Sequence, residues 1–183
     1  MTDRANSTTV LPTPAAQAKY QVRFDLGRDG LSRIGDADVL IWVDALALTD
    51  DGPAINARAA TVISADLTNR SASAAWVLAH QVKLGRRVSI SVVGAGSSGT
   101  FSAVDVLAAG AVIDALISLG IDFTSPEAAV ACAAFSNLRN AVGHLFTASV
   151  DGQLLAANGS REAVVAAAQV DSADDVRVVR AAE

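Results

Sequence analysis

The chain has 183 residues, a formal net charge of -5, 51% hydrophobic residues and a single cysteine. That length suits one domain with a sizeable core, and the negative charge with no Lys/Arg cluster argues against a nucleic-acid or anionic-membrane surface, both of which need a basic footprint. One cysteine, Cys132, excludes a disulfide framework within the chain and reads as a small core residue in the apolar run AVACAAF.

Residues 1–18 are rich in Ser, Thr, Pro and Ala and carry no continuous apolar run of the signal-peptide kind, so they read as a flexible tail on a single domain over residues 19–183, with a cytoplasmic location expected. Tyr20 to Leu26 alternates apolar and polar positions and predicts an edge strand; Val39 to Val43 is continuously apolar and predicts a central one, ending at Asp44. Thr61 to Ser64 predicts a short buried strand, followed by Asp66, Asn69 and a helix over Ser71 to Leu84 with Gly85 as its C-cap. Val88 to Val93 predicts a second central strand beside Val39 to Val43. A helix from Ser102 to Leu119 follows, with Ser102 and Asp105 in capping-box spacing. The apolar stretch Val106 to Ile121 is interrupted by Asp114 and is too short to span a bilayer. Ser125 caps a further helix with Pro126 at its first position, running toward His144. Asp151-Gly152 predicts a tight turn, Ser160 a short helix, and Val176 to Val179 a last strand.

Strands alternating with helices imply an α/β fold, a three-layer α/β/α arrangement around a mainly parallel sheet. Ligands in such sheets bind beyond the C-terminal strand ends. Here that edge gathers Asp44 with Thr49 to Asp51, Asp66 with Asn69, and Gly94 to Asp105. The segment Gly94 to Thr100 (GAGSSGT) passes from strand to helix, a junction that aims backbone N–H groups and a helix dipole at one spot, and a phosphate-like anion is the first expectation there. Gly94, Gly96 and Gly99 also satisfy GxGxxG, which opens a nucleotide-binding reading. That reading needs a second strand ending in an acid, and only Ile121 to Phe123 with Asp122 offers one. A strand-to-helix turn without a ligand is the third reading. The carboxylates at the edge suit Mg²⁺ rather than structural zinc, which would require Cys or His clusters. His80 and His144 sit in helical segments far apart and read as surface or packing residues.

The blocks YQVRFDLGRDGL, ADVLIWVDALALTD, SADLTNR, Gly94 to Asp105 with DVLAAGAVIDAL, SPEAAVACAAF and VVAAAQVDSADDVRVV stand in an order that resembles the 2-phosphosulfolactate phosphatase family from about Tyr20 to Val179. The resemblance implies an α/β fold, a Mg²⁺-dependent phosphatase and a phosphate monoester of a small hydroxy acid as substrate. It further implies Asp44 and Asp105 on the metal, Asp44, Asn69 and Thr49 in catalysis or substrate orientation, and the amides of Gly94, Gly96, Ser97, Ser98, Gly99 and Thr100 on the phosphate. The chain also departs from the family pattern. Ala47 stands where the family has an arginine, Asp50 replaces a threonine, Gly94-Ala95-Gly96 stands in place of Gly-Glu-Arg, and only Asp51 to Ala60 separates blocks that a long segment separates in the family. One arginine on the transferring group is worth about 10³ to 10⁵ in rate in other phosphoryl-transfer enzymes. The expectations are therefore a shortened phosphatase or a non-catalytic homologue that keeps the fold and an anion site. Either takes a small phosphorylated or anionic molecule as ligand, with a homodimer covering apolar surface left by the missing segment.

Overall fold

The computed structural model of the chain describes residues 13–48, 59–97 and 101–181. Five strands form one sheet: β1 (Val22–Leu26), β2 (Ala37–Val43), β3 (Ala59–Ala65), β4 (Ile90–Gly94) and β5 (Arg177–Arg180), in the order β1-β4-β2-β3-β5. The first four are parallel and β5 joins β3 antiparallel. The α/β expectation holds, with β2 and β4 as central neighbours and β1 at the edge. A continuous apolar run marks β2, and β4 is fully buried and apolar apart from Ser91 and Gly94, because both faces of each are covered.

Alternation along the strands splits the interior in two. Val22, Phe24, Val39, Ile41, Ile63, Ile90 and Val92 face the larger core. It is covered by α2 (Arg70–Leu84), α3 (Ala103–Ser118) and α4 (Pro126–Leu138), with α5 (Val142–Ala148), α6 (Val150–Ala157) and α7 (Arg161–Ala167) packed beyond. Leu40, Trp42, Val62 and Val93 face the other way, where α1 (Gly27–Arg33) supplies Leu31 and leads into Ile34. Helix α1 was not anticipated, since a polar two-turn helix has no apolar stripe to announce it. The predicted turn at Asp151-Gly152 is corrected: both residues lie in the first turn of α6, whose start is fixed by the Ser149 hydroxyl accepting from Gly152 N at 2.9 Å. The helix expected to run from Ser125 toward His144 breaks at Leu138 and resumes as α5 after a 3-10 turn. Gly85 closes α2 in the left-handed region at φ 63°, as its spacing predicted. Cys132 is half-buried on α4 and packs against the larger core.

The outer edge of β1 is satisfied residue by residue. Val22 N donates to Phe123 O and Val22 O accepts from Ser125 N. At Phe24 the side chain of Gln17 takes the place of a neighbouring strand, its Nε2 donating to Phe24 O at 2.8 Å and its Oε1 accepting from Phe24 N at 3.1 Å. Leu26 N turns to the Asp25 carboxylate. The folded chain thus begins no later than the 3-10 turn Pro14–Ala16, where Ala16 and Gln17 are buried; residues 1–12 of the expected tail lie outside the described residues. Unpaired strand edges invite pairing with other chains. Gln17→Ala leaves two buried backbone groups unpaired and is expected to cost about 1–3 kcal/mol, seen as a lower melting temperature. Light scattering of the variant on warming should rise earlier than that of the wild type.

Candidate functional site

The C-terminal strand ends meet at Asp105. Ser102 caps α3, accepting from Asp105 N at 3.3 Å, which fixes the first turn and turns the Asp105 side chain back toward the sheet. Its Oδ1 accepts from Ala45 N, just past β2, at 2.8 Å, and its Oδ2 accepts from Gly96 N, just past β4, at 2.9 Å. The carboxylate is 4% exposed. Burial, with the charge of nearby Asp44 adding to it, pushes its pKa up to about 6 against the hydrogen bonds that favour the ionised form.

This is the geometry expected of an anion cradle, with the anion supplied by the chain itself. Gly96 N is committed to Asp105, and Ala95 N to Val43 O at 2.7 Å. The glycines have separate reasons. Gly96 sits at φ 76°, a region that glycine enters without strain. At Gly94 a Cβ would fall 2.7 Å from Leu26 Cδ2 and 3.3 Å from Asp105 Cβ, so the close approach of β1 and α3 requires its absence. The Ser97 hydroxyl donates to the Asp151 carboxylate at 2.6 Å, tying the same loop to α6. Asp151 was missed as a site residue; its sequence signal, an acid in a Ser-x-Asp-Gly run, was indistinguishable from a turn. Ser98, Gly99, Thr100 and Thr49 lie outside the described residues.

The remaining predicted residues are not gathered around one pocket. Asp44 accepts from Leu48 N at 3.1 Å and shapes the turn after β2. Asn69 is 8% exposed; its Oδ1 accepts from Asp66 N and its Nδ2 donates to Asp175 O, so it joins the start of α2 to the segment before β5. Arg70, a cation of the kind that pairs with phosphate, is held by Asp114 at 2.9 Å and Asp171 at 3.0 Å and lies over the Phe135 ring. Asp171 also accepts from Ser71 N. The start of α2, like the turn after β4, is thus occupied by a carboxylate of the protein. His80 stacks on Trp76 on α2 and His144 is exposed on α5, both away from this edge.

A groove of ≈ 420 Å³ opens beside this node, lined by Phe24, Leu26, Phe101, Val106, Val130 and Ala131, with Asp25 and Glu127 as its charged members among the described residues. Its walls are apolar and its charges negative, a poor match to a phosphate ester. The nucleotide reading also fails on geometry. Ile121 to Thr124 makes a single bridge, Thr124 to Val22, at the far end of β1, and Gly96 N is already bonded to Asp105. Magnesium needs carboxylate oxygens open to its water-rich octahedron, whereas both Asp105 oxygens are buried on backbone N–H groups. Among the described residues no group of three or more His, Cys, Asp or Glu stands together as metal ligands. The Asp44–Asp105 pair does not fit a Mg²⁺ ion in this arrangement.

Among the described residues no helix is long and apolar enough to cross a membrane. No curated protein matches the chain. The order of blocks along the sequence and the parallel sheet beneath them agree with a family-model match over residues 48–182, a span that takes in Asn69 and the Gly94 to Asp105 junction but starts after Asp44. The chain belongs to the 2-phosphosulpholactate phosphatase family.

Proposed function

We propose that this chain is a non-catalytic member of its family, in which the strand-end edge that would hold metal and phosphate serves instead to lock β2, β4 and α3 together. The observation that carries this reading is the Asp105 carboxylate, buried with one oxygen on Ala45 N and the other on Gly96 N. A phosphate bound by the same amides would have to displace that carboxylate or sit against its charge. Two further features agree with it: Ala47 and Gly96 replace the arginines that the family pattern has there, and Arg70 is neutralised by two aspartates.

A second reading is supported by one observation, the closeness of Asp44 to Asp105 that raises the Asp105 pKa. Two carboxylates near each other, one just after β2 and one in the first turn of α3, are a start toward a Mg²⁺ site. In this reading the chain is a cytoplasmic Mg²⁺-dependent phosphatase of a small phosphorylated molecule. Asp44 and Asp105 would hold the metal, with the bond from Gly96 N given up, Asn69 and Thr49 would orient the substrate, and Gly94, Gly96, Ser97, Ser98, Gly99 and Thr100 would hold the phosphate.

Phosphate release from para-nitrophenyl phosphate and from 2-phosphosulfolactate, with and without Mg²⁺, separates the two. The expected result is a rate indistinguishable between wild type and Asp44→Ala under both conditions. A Mg²⁺-dependent rate that Asp44→Ala abolishes would establish the enzyme and sink the first reading.

A further inference from the structure

The face of the sheet under α1 contains buried polar atoms that the fold leaves without partners. Arg23 on β1 is 2% exposed; its Nη2 donates to Asp36 O at 2.9 Å, but its Nε and Nη1 have no hydrogen-bond partner. Ser91 on β4 is 1% exposed, and its Oγ also has none. The parallel register sets these two residues directly opposite each other, Arg23 to Ser91 and Ser91 to Leu40, so their side chains rise from the same face on adjacent strands. A buried group left unpaired is costly, and native folds pair nearly all of them, with water where protein cannot reach.

There is room for such a partner. A partly open space lined by Leu31, Ile34, Gly35, Ala37, Leu40, Ala59 and Ser91 leaves ≈ 10 Å³ to the centre of a water-sized sphere, the lower limit of what one water requires. Gly35 borders Arg23 as well, since a Cβ there would lie 3.0 Å from Arg23 Nη1. The unpaired Ser91 hydroxyl thus borders the space, and the unpaired Arg23 Nη1 lies beside its Gly35 wall. Water answers the pair, accepting from Arg23, which only donates, and either donating to or accepting from the Ser91 oxygen; an anion accepting from both is the competing occupant.

We infer that a single ordered water occupies this space, accepting from Arg23 Nη1 and hydrogen-bonded to Ser91 Oγ, as a built-in part of the sheet face beneath α1. Its role is to let an arginine stand inside a thinly covered face, where burial otherwise lowers the guanidinium pKa and Asp38 and Asp36 nearby raise it. The inference is independent of the phosphatase question, because these residues lie toward the opposite ends of the strands from Asp105.

A crystal structure of the full chain grown in bromide, at a resolution that shows ordered water, tests it. The expected result is one water peak within hydrogen-bonding distance of Arg23 Nη1 and Ser91 Oγ, with no anomalous signal. An anomalous peak there would make the site a halide site, and an absent peak or an Arg23 Nη1 bonded to a protein oxygen would remove it; each overturns the inference. In solution, a magnetisation-transfer cross-peak from a long-lived water to the Ser91 amide is expected in the wild type and lost in Ser91→Val, whose added methyl fills the space. An unchanged cross-peak in a folded Ser91→Val would also overturn it.

Discussion

Gly110→Ala is expected to lower the melting temperature by about 6–12 °C, from a loss of about 3 kcal/mol at a cost of some 2–4 °C per kcal/mol for a chain of this size. Gly110 lies in the middle of α3, where a Cβ would come within 2.1 Å of the Ala131 carbonyl oxygen and 2.7 Å of its carbon, both on the backbone of α4. A side-chain tip moves aside, but a helix backbone does not, so the two helices must separate. Alanine is the better helix former by about 1 kcal/mol, which offsets only part of this strain. Gly143→Ala on α5 is the control: no atom lies within 4 Å of the added methyl, and the melting temperature should stay level or rise slightly. Equal melting temperatures for the two variants would show that the close crossing of α3 and α4 contributes little. The crossing also bears on the edge described above. Helix α3 carries Asp105 at its first turn, and Val106 and Ala131 form opposite walls of the groove beside it. A methyl at Gly110 should therefore loosen the Asp105 contacts too, measurable as faster amide exchange at Ala45 and Gly96.

These contacts also mark where sequence reading succeeds and where it runs out. The central strands are legible because burial on both faces imposes an unbroken apolar run on Val39 to Val43 and one interrupted only by Ser91 on Ile90 to Val93. The helix starts at Ser102 and Ser125-Pro126 are legible because their caps are local, made within three residues. What is tertiary is not legible. Gly152 reads as a turn residue because its real constraint is the Phe146 carbonyl, 1.9 Å from where its Cβ would be. Asp105 reads as a metal ligand or a helix cap. That it bridges Ala45 and Gly96 depends on β2 and β4 being neighbours, and Ala45 lies 60 residues from Asp105 along the chain. Nothing local to Arg70 in the sequence announces that Asp171, 101 residues away, returns beside it. Chemistry at this edge is set by which charges the fold brings together, and residue types alone leave that open.

Asp105 should give the wild type a stability that rises as pH falls from 7 toward 5. Its carboxyl has a pKa of about 6 in the folded chain against an ordinary value of 3.8, raised chiefly by burial. The folded state therefore binds the proton more tightly than the unfolded state between those values. Stability is then lost as pH rises through this window, and the penalty is fully present above pH 6. A shift of this size corresponds to about 3 kcal/mol as an upper figure. Asp38 opposes it only at lower pH. Its pKa is held below the usual range by Arg86 and the Ser89 contacts, so its contribution is lost as pH drops beneath the ordinary carboxylate value. The maximum should therefore fall between about pH 4 and 5, on the acid side of neutral where paired carboxylates alone would not put it. Asp105→Asn removes the titrating group, and the rise between pH 7 and 5 should vanish. It also turns an amide NH₂ toward Ala45 N or Gly96 N, a donor facing a donor, at a cost of about 1–3 kcal/mol for the unpaired group. Urea unfolding of both proteins across this pH range measures the two effects separately, the slope with pH for the charge and the offset at pH 5 for the lost bond. A wild type whose stability is flat or falls between pH 7 and 5 would mean that Asp105 titrates as an exposed acid. The buried bridge between the β2 and β4 loops, on which the non-catalytic reading stands, would then be wrong.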